Sequence, residues 1–462
     1  MTQELAERPP AAPDSIDEAH LTRSVFRLAW PVVVQQVSFS MVQLVDVALV
    51  GHLGEDALAG VRLAGQLFWF SQTGMVAVGI GSTAIIARNV GAGDTRHASQ
   101  TLNNAIIMAL AWGLTVGVLM WLLGSWALGM LGAESGAQHE GTTYLKATAV
   151  GMPFWSVLYA CNAAQQGAGD TRTPMVVGIV INVVNIIVAY TLVNGAGGAP
   201  ELDVLGAGLG FTASAVVGAV VILVILTVKT QPLHWNIRRA LDLDPRDARR
   251  VLNVGVPTGV EQAQFNIAFM LYTRIIASLG TVALAAHGVT LALQSLTFNV
   301  GFGLSVATTA LVGHSLGAQR PDLAERATWL TTRYSLVFMI TLGVVMMFLG
   351  EQITGLFVGG DSADEVTRIG DQLLFIFAFA MPGIAISLTL GGALRGAGDT
   401  RAVLLIMAAT TWLVRLIPAY IFAITLGLGV PGAWLAAILD INVRAALMFW
   451  RFRKGAWKRI VV

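Results

Sequence analysis

The chain has 462 residues, 55% hydrophobic and only 12% charged, with 50 glycines and 12 tryptophans, and its mean hydropathy is +0.70. Soluble domains carry about a quarter charged residues, so this composition excludes a water-soluble globular chain and points to one embedded in lipid. Its 28 basic and 27 acidic residues give a net charge of +1, which offers no bulk attraction for nucleic acid or an acidic partner.

Residues 1–20 are polar, acidic and proline-rich, without the basic start and apolar stretch of a signal peptide, and read as a disordered cytoplasmic tail. Twelve predominantly apolar segments follow, each long enough to cross a hydrocarbon core of about 30 Å as a helix. They are 25–50, 58–86, 101–124, 143–165, 173–194, 205–228, 251–277, 283–312, 328–350, 368–392, 402–426 and 429–450. The alternating ten-residue strands of an outer-membrane barrel are absent. The single cysteine, Cys161, lies inside segment 4 and reads as a small buried filler, with no disulfide, zinc cluster or redox pair to form.

Assigning the tails and the loops after segments 2, 4, 6, 8 and 10 to one side gathers most of the basic residues there, which makes that side the cytoplasm. The richest stretches are Lys229, Arg238, Arg239, Arg246, Arg249 and Arg250 in the central loop, and Arg451, Arg453, Lys454, Lys458 and Arg459 at the end. The opposite loops hold Glu55, Asp56, Glu134, Glu140, Glu201, Asp203, Glu351, Asp361, Asp364 and Glu365. The expectation is a multi-pass protein of the cytoplasmic (inner) membrane with both termini inside.

Sliding the sequence on itself by 226 residues superposes Pro31 on Pro257, Gln36 on Gln262, Phe39 on Phe265 and Gly91-Ala92 on Gly317-Ala318. After a three-residue drift, residues 152–172 overlie 381–401, both ending in GAGDTR, and Gly206-Ala207 returns to the original offset on Gly432-Ala433. The chain is therefore expected to be all-α, with two six-helix lobes related by a pseudo-twofold along the membrane normal, since six spans bring both copies in from one side. The expected organisation is a tail 1–20, an N-lobe 21–228, a cytoplasmic linker 229–250, a C-lobe 251–450 and a basic cytoplasmic tail 451–462. A substrate cavity between lobes, exposed to either face by rocking, fits this plan, and most enzymes do not.

The motif GAGD occurs at 91–94, 167–170 and 396–399, with GAQR at 317–320. No Lys-Ser or Lys-Thr follows, as a phosphate-binding loop would need. These are read as turns in which Gly ends one helix and Asp or Thr caps the next. With no nucleotide site, transport has to draw on an ion gradient.

VDVALVGHLG after the proline start of segment 1, PTGVEQ and ASLGTVALAAH in segment 7 and its loop, and the repeated GAGDTR together resemble the multidrug and toxic compound extrusion (MATE) family over nearly the whole chain after residue 20. That resemblance implies two six-helix bundles in a V, exporting organic cations and other amphipathic drugs in exchange for protons or sodium ions.

An ionisable residue at membrane depth is costly and marks a cavity, an ion or a partner. Asp46, fifteen residues after Pro31, has neutral Tyr272 as its repeat mate. It reads either as a helix-end residue at the outer interface or as an ion-binding, proton-exchanging carboxylate, and it matches the acidic residue of the family's first helix. Asn182 and Asn185, three apart on one face of segment 5, either help Asp46 bind a proton or sodium ion or make interhelical hydrogen bonds. The family's DinF-like branch would carry an Asp where this chain has Ala189, and Thr212 lies near that branch's segment 6 hydroxyl. A sodium ion would take Asp46 and Asn185.

Glu261, the mate of Gln35, reads as a second coupling acid or a structural one. The NorM-like branch has its segment 7 glutamate where this chain has Phe265 and its segment 10 aspartate where this chain has Ile384. Arg274 is thirteen residues and about 20 Å further along the helix, too far to pair with Glu261, and either snorkels outward or faces the cavity. Arg415 and Asp440 read as a buried pair, and His287 and His314 as packing residues. Gln35, Phe39, Met41, Phe265, Tyr272 and Arg274 are candidate cavity residues, and Met75, Met270, Phe68 and Trp69 either join them or simply pack.

The sequence thus supports a secondary active multidrug efflux transporter, not an enzyme, acting as a monomer by alternating access. It has no cofactor beyond H+ or Na+ as coupling ion and no nucleic-acid partner. The alternative is a flippase for a lipid-linked or polysaccharide precursor, which would need a basic cavity. Asp46 and Glu261, taken as unpaired carboxylates, favour cationic cargo.

Overall fold

The computed structural model describes residues 21–228, 232–240, 242–355 and 363–460. The tail 1–20 lies outside the described residues, as do Lys229, Asp361 and the last two positions of the basic tail. In hydrocarbon every backbone N–H and C=O must be satisfied within the segment, and the chain answers with helices throughout. The first lobe contains α1 (Leu21–Val50), α2 (Glu55–Gly91), α3 (Thr95–Met130), α4 (Ser135–Gly167), α5 (Arg172–Val193) and α6 (Asp203–Val228). The second contains α7 (Pro245–Ala277), α8 (Thr281–Gly317), α9 (Pro321–Gly355), α10 (Ala363–Ala378), α11 (Met381–Gly396), α12 (Thr400–Thr425) and α13 (Gly429–Arg453).

Each apolar segment of the sequence is found as a helix, usually extended by a turn or more at either end. α2, with 37 residues, is about 55 Å long and so projects beyond the hydrocarbon. Segment 10 alone is broken: α10 and α11 meet at a 53° bend, where Pro382 at the start of α11 removes a backbone donor. Among the described residues nine helices are apolar and long enough to span a bilayer, and the bent pair makes a tenth. α4 and α7 are equally long but more polar, because they carry much of the polar lining described below.

The two lobes have separate cores, one drawn from α1–α6 and one from α7–α13. The glycine-rich turns form as expected. Gly93, Gly169 and Gly398 take left-handed φ of 78°, 85° and 88°, while Asp94 accepts from His97 N at 3.0 Å and Asp170 from Thr173 N at 3.1 Å, capping α3 and α5. In the GAQR copy Gln319 occupies the same left-handed conformation at φ 58°, at a cost of roughly 1–2 kcal/mol that glycine avoids. Asp399 departs from the capping expectation, since its carboxylate pairs with Arg451 at 2.7 Å instead.

The lobes pack on each other in the half nearer these turns. A side chain added at Gly255 would overlap the Ala77 carbonyl of α2, and one at Gly303 would meet Ala29 and Val33 of α1. Ala29 and Gly255, and likewise Ala77 and Gly303, are repeat mates, so the two contacts exchange under the pseudo-twofold. The intralobe bonds repeat as well: Thr83 Oγ1 donates to Ala163 O at 2.8 Å and Thr309 Oγ1 to Gly392 O at 2.9 Å. His314 bridges the lobes, its Nε2 lying 2.8 Å from Gly167 O.

Two segments read as loose loops are packed. α7 begins at Pro245, inside the stretch assigned to the linker, because Asp244 caps it and proline suits the first helical position. Before it, Leu233 is buried in the first lobe and Trp235 Nε1 donates to Asn103 Oδ1 at 3.1 Å. In the basic tail Trp457 is fully buried and stacks on Phe452 with ring centres 4.8 Å apart. Arg88 of the first lobe then donates to Ile460 O at 2.7 Å, so the tail ties both lobes together.

Candidate functional site

Three groups of polar side chains lie within the helical bundle. The first surrounds Asp46, near the end of α1 remote from the glycine-rich turns. Its side chain is buried and accepts hydrogen bonds from Tyr144 Oη of α4 at 2.8 Å and Asn185 Nδ2 of α5 at 3.3 Å. Asn185 Oδ1 has no partner. Asn182 does not join them: its Nδ2 donates to Ser38 O at 2.8 Å and to Gly178 O, tying α5 to α1. Thr212 likewise donates to Ala147 O at 2.7 Å, an α6–α4 link. Among the described residues no group of three or more His, Cys, Asp or Glu side chains forms a metal centre. Asp46 and Asn185 do supply two oxygens of the hard type a sodium ion takes.

The second group lines a cleft between the lobes. Gln35, Phe39, Asn162 and Gln166 line it from one lobe and Phe302, Ser305 and Arg395 from the other. Gln166 Nε2 donates to Gln35 Oε1 at 2.7 Å. The repeat mates of those two residues are Arg395 and Glu261, which form an ion pair at 2.5 Å. The reading of Glu261 as an unpaired carboxylate is therefore corrected: the guanidinium that satisfies it comes from another helix, so the helix spacing that excluded Arg274 did not bear on it. The Asn162 amide is buried, with neither side-chain atom partnered.

The third group lies deep in the second lobe, where Asp440 is fully buried between two arginines. Arg415 Nε is 2.8 Å away, and Arg444 Nη2 reaches both carboxylate oxygens at 2.8 and 2.7 Å. Arg415 also stands about 6 Å from the ring centres of Phe265 and Tyr272. α12 opens here into π-helical turns over Thr410–Leu416, a distortion that recurs at functional sites.

Of the proposed cavity residues, Gln35 and Phe39 line the cleft. Phe265 and Tyr272 belong to the arginine group, and Met41 is exposed away from the cleft, as is Arg274. Met270 and Trp69 are exposed too, whereas Met75 is core and Phe68 packs beside it. His287 accepts from Trp434 Nε1 at 3.2 Å. Sequence reasoning missed Tyr144, Asn162, Gln166, Arg395 and Arg444. Arg395 and Gln166 were visible as repeat mates directly before GAGD, and Arg444 as the residue four after Asp440 on one helix face. Tyr144 and Asn162 carried no such signal.

Comparison with known proteins adds a family. Residues 31–191 and 257–421 match the MatE family, one copy in each lobe. The chain is 29% identical to the probable multidrug resistance protein NorM of Thermotoga maritima, over 96% of this chain and 94% of that protein. It is 26% identical to the multidrug resistance protein PmpM of Pseudomonas aeruginosa, over 94% and 91% respectively. The crystal structure of the Vibrio cholerae MATE transporter VcmN in its bent form superposes with a TM-score of 0.85 at 21% identity, over 95% of this chain and 97% of that one.

Proposed function

We infer the function from the premise that the chain belongs to the MatE family: it is a multi-pass membrane transporter, not an enzyme, and it exports amphipathic drugs in exchange for H+ or Na+. The relatives named multidrug resistance proteins support the cargo class. The observation that carries the coupling role is Asp46, a buried carboxylate held by one phenol and one amide with no cationic partner. When it is ionised, Tyr144 Oη and Asn185 Nδ2 donate to it. When it is protonated it becomes a donor, and the unpartnered Asn185 Oδ1 is an acceptor in reach after the amide turns over. Loading and release of a proton therefore change how α1 is held by α4 and α5, the differential interaction that alternating access needs. A sodium ion would use the same carboxylate and amide oxygen.

The lobes meet at the end with the glycine-rich turns, and the basic residues there support the reading of that end as cytoplasmic, in an inner membrane with both termini inside. In this arrangement the transporter works as a monomer and the cleft is closed toward the cytoplasm. The charge argument for purely cationic cargo is weaker than the sequence suggested, because Glu261 is neutralised by Arg395. Arg395 in the cleft favours the second reading, a flippase for a phosphate-bearing lipid precursor. A single neutralised guanidinium and the named relatives favour drug export.

The test is export of a fluorescent organic cation from proteoliposomes under separately imposed proton and sodium gradients, comparing wild type with Asp46→Asn. The variant keeps shape and neutrality but cannot titrate, so it should fold and lose gradient-driven export. Wild-type rates in Asp46→Asn would remove the carboxylate from the coupling step.

A further inference from the structure

Apart from the Asp399–Arg451 pair at the turn, three guanidinium groups of the second lobe meet two carboxylates. Arg395, Arg415 and Arg444 face only Glu261 and Asp440, and all five are buried or nearly so. Arg415 and Arg444 are both committed to Asp440. Arg395 is the group that reaches the cleft, where it is the one ionised side chain among the lining residues. One of its terminal nitrogens binds Glu261, and its Nε has no partner. The opposite wall presents the Asn162 amide, buried with both polar atoms unpartnered, and the Gln166 amide. No carboxylate lines the cleft, and Asp46 stands eleven residues from Gln35, about 16 Å along α1.

We propose that the cleft floor is an oxyanion subsite, in which Arg395 holds the carboxylate of an amphipathic cargo and Asn162 and Gln166 of the other lobe hydrogen-bond it. A guanidinium presents donors on more than one edge, so it can keep Glu261 and accept a second carboxylate. Closing the lobes on such a cargo would give the Arg395 guanidinium and the orphaned Asn162 amide the partners they lack. The proposal rests on the transport reading, whose cargo it narrows to amphiphiles bearing an oxyanion, zwitterions included.

The first lobe supplies the control. Gln35 and Gln166 occupy the positions that Glu261 and Arg395 hold in the second, so the double variant Glu261→Gln/Arg395→Gln copies a pair the fold already accommodates. Arg395→Gln alone would strand Glu261. The probes are rhodamine 110, which has a free carboxylate, and rhodamine 123, its methyl ester. Binding is read by fluorescence anisotropy on protein in phosphatidylcholine nanodiscs. Wild type should prefer the acid roughly tenfold or more, the worth of one charge-assisted hydrogen bond, and the double variant should bring the ratio close to one.

Equal affinities in wild type, or an undiminished ratio in the double variant, would overturn the subsite. If replacing part of the phosphatidylcholine with phosphatidylglycerol abolishes acid binding competitively, the occupant is a lipid phosphate and the drug-carboxylate assignment fails. Export of the ester under an ion gradient is measured in parallel. Export without acid preference sinks the subsite alone, and acid preference without any export sinks the transport reading alone.

Discussion

Replacing Asp440 by Asn tests how the second lobe manages its charge. The carboxylate is fully buried, accepts hydrogen bonds from Arg444 Nη2 through both oxygens at 2.8 and 2.7 Å, and forms an ion pair with Arg415 Nε 2.8 Å away. Asn keeps the volume but leaves two guanidinium groups side by side without a counter-charge. Removing one partner from a buried ion pair costs about 3–5 kcal/mol. Over a cooperative unit of about 200 residues, close to one lobe, that lowers Tm by roughly 6–20 °C.

Arg415→Gln should cost less, about 1–3 kcal/mol, because the Asp440–Arg444 pair survives it and stays neutral. Cys161 lies in the first lobe, so the assay uses a cysteine in place of the fully buried Ala385 of the second-lobe core in a Cys161→Ala background, where a thiol-reactive fluorogenic dye reports its exposure as the detergent-solubilised protein is heated. The order is the decisive result. If Asp440→Asn melts at the wild-type temperature, or no lower than Arg415→Gln, the carboxylate is not what holds the two cations in the lobe.

Gly255→Val adds a side chain where the Ala77 backbone leaves no room. It should push the lobes apart in the half nearer the glycine-rich turns and favour the opposite access, read as increased labelling of a cysteine placed at Ser305 in a Cys161→Ala background by a thiol reagent supplied from that side; unchanged labelling would count against the close lobe contact. In the same background a cysteine replacing Arg246 should resist a membrane-impermeant thiol reagent in intact cells and react once the membrane is opened, and ready labelling in intact cells would reverse the orientation.

The architecture was legible because two strong constraints act on it. The bilayer demands long apolar helices, and the duplication left Pro31 and Pro257, GAGDTR at both places and the flanking glycines in register. The bend between α10 and α11 was hidden, since the matching Pro153 sits within an unbroken α4. The packed linker and tail were hidden too: Trp235 and Trp457 lie among charges that read as solvated loops, and only tertiary contacts reveal their partners. At the site, Asp46 and Asp440 stood out as charges in apolar runs. Glu261 stood out as well but was misread, because its partner Arg395 sits beside a turn and looked like one more basic residue of the cytoplasmic side.

The repeat also explains why the lobes can differ in chemistry while sharing a backbone. On α1 the floor position is the neutral Gln35 and the acid comes eleven residues later, at Asp46; on α7 the floor position is the acid Glu261 and the neutral Tyr272 comes eleven later. Their companions follow suit: Gln35 is met by Gln166 and Glu261 by Arg395, while Asp46 is met by a phenol and an amide and Tyr272 by the Arg415 guanidinium. Each lobe therefore pairs its polar groups differently at the two levels, while the glycine contacts keep the twofold packing. Among the described residues Asp46 of the first lobe is a buried carboxylate with no cationic partner, whereas Arg395 of the second lobe reaches the cleft beside Glu261. If the coupling ion loads at Asp46 and the cargo oxyanion at Arg395, as proposed, the two would occupy positions about 16 Å apart along the helix axis, so they would not exclude each other by contact. On that proposal any competition between them would pass through the relative position of the lobes, and the glycine-packed interface, rather than a shared binding pocket, would link ion and cargo.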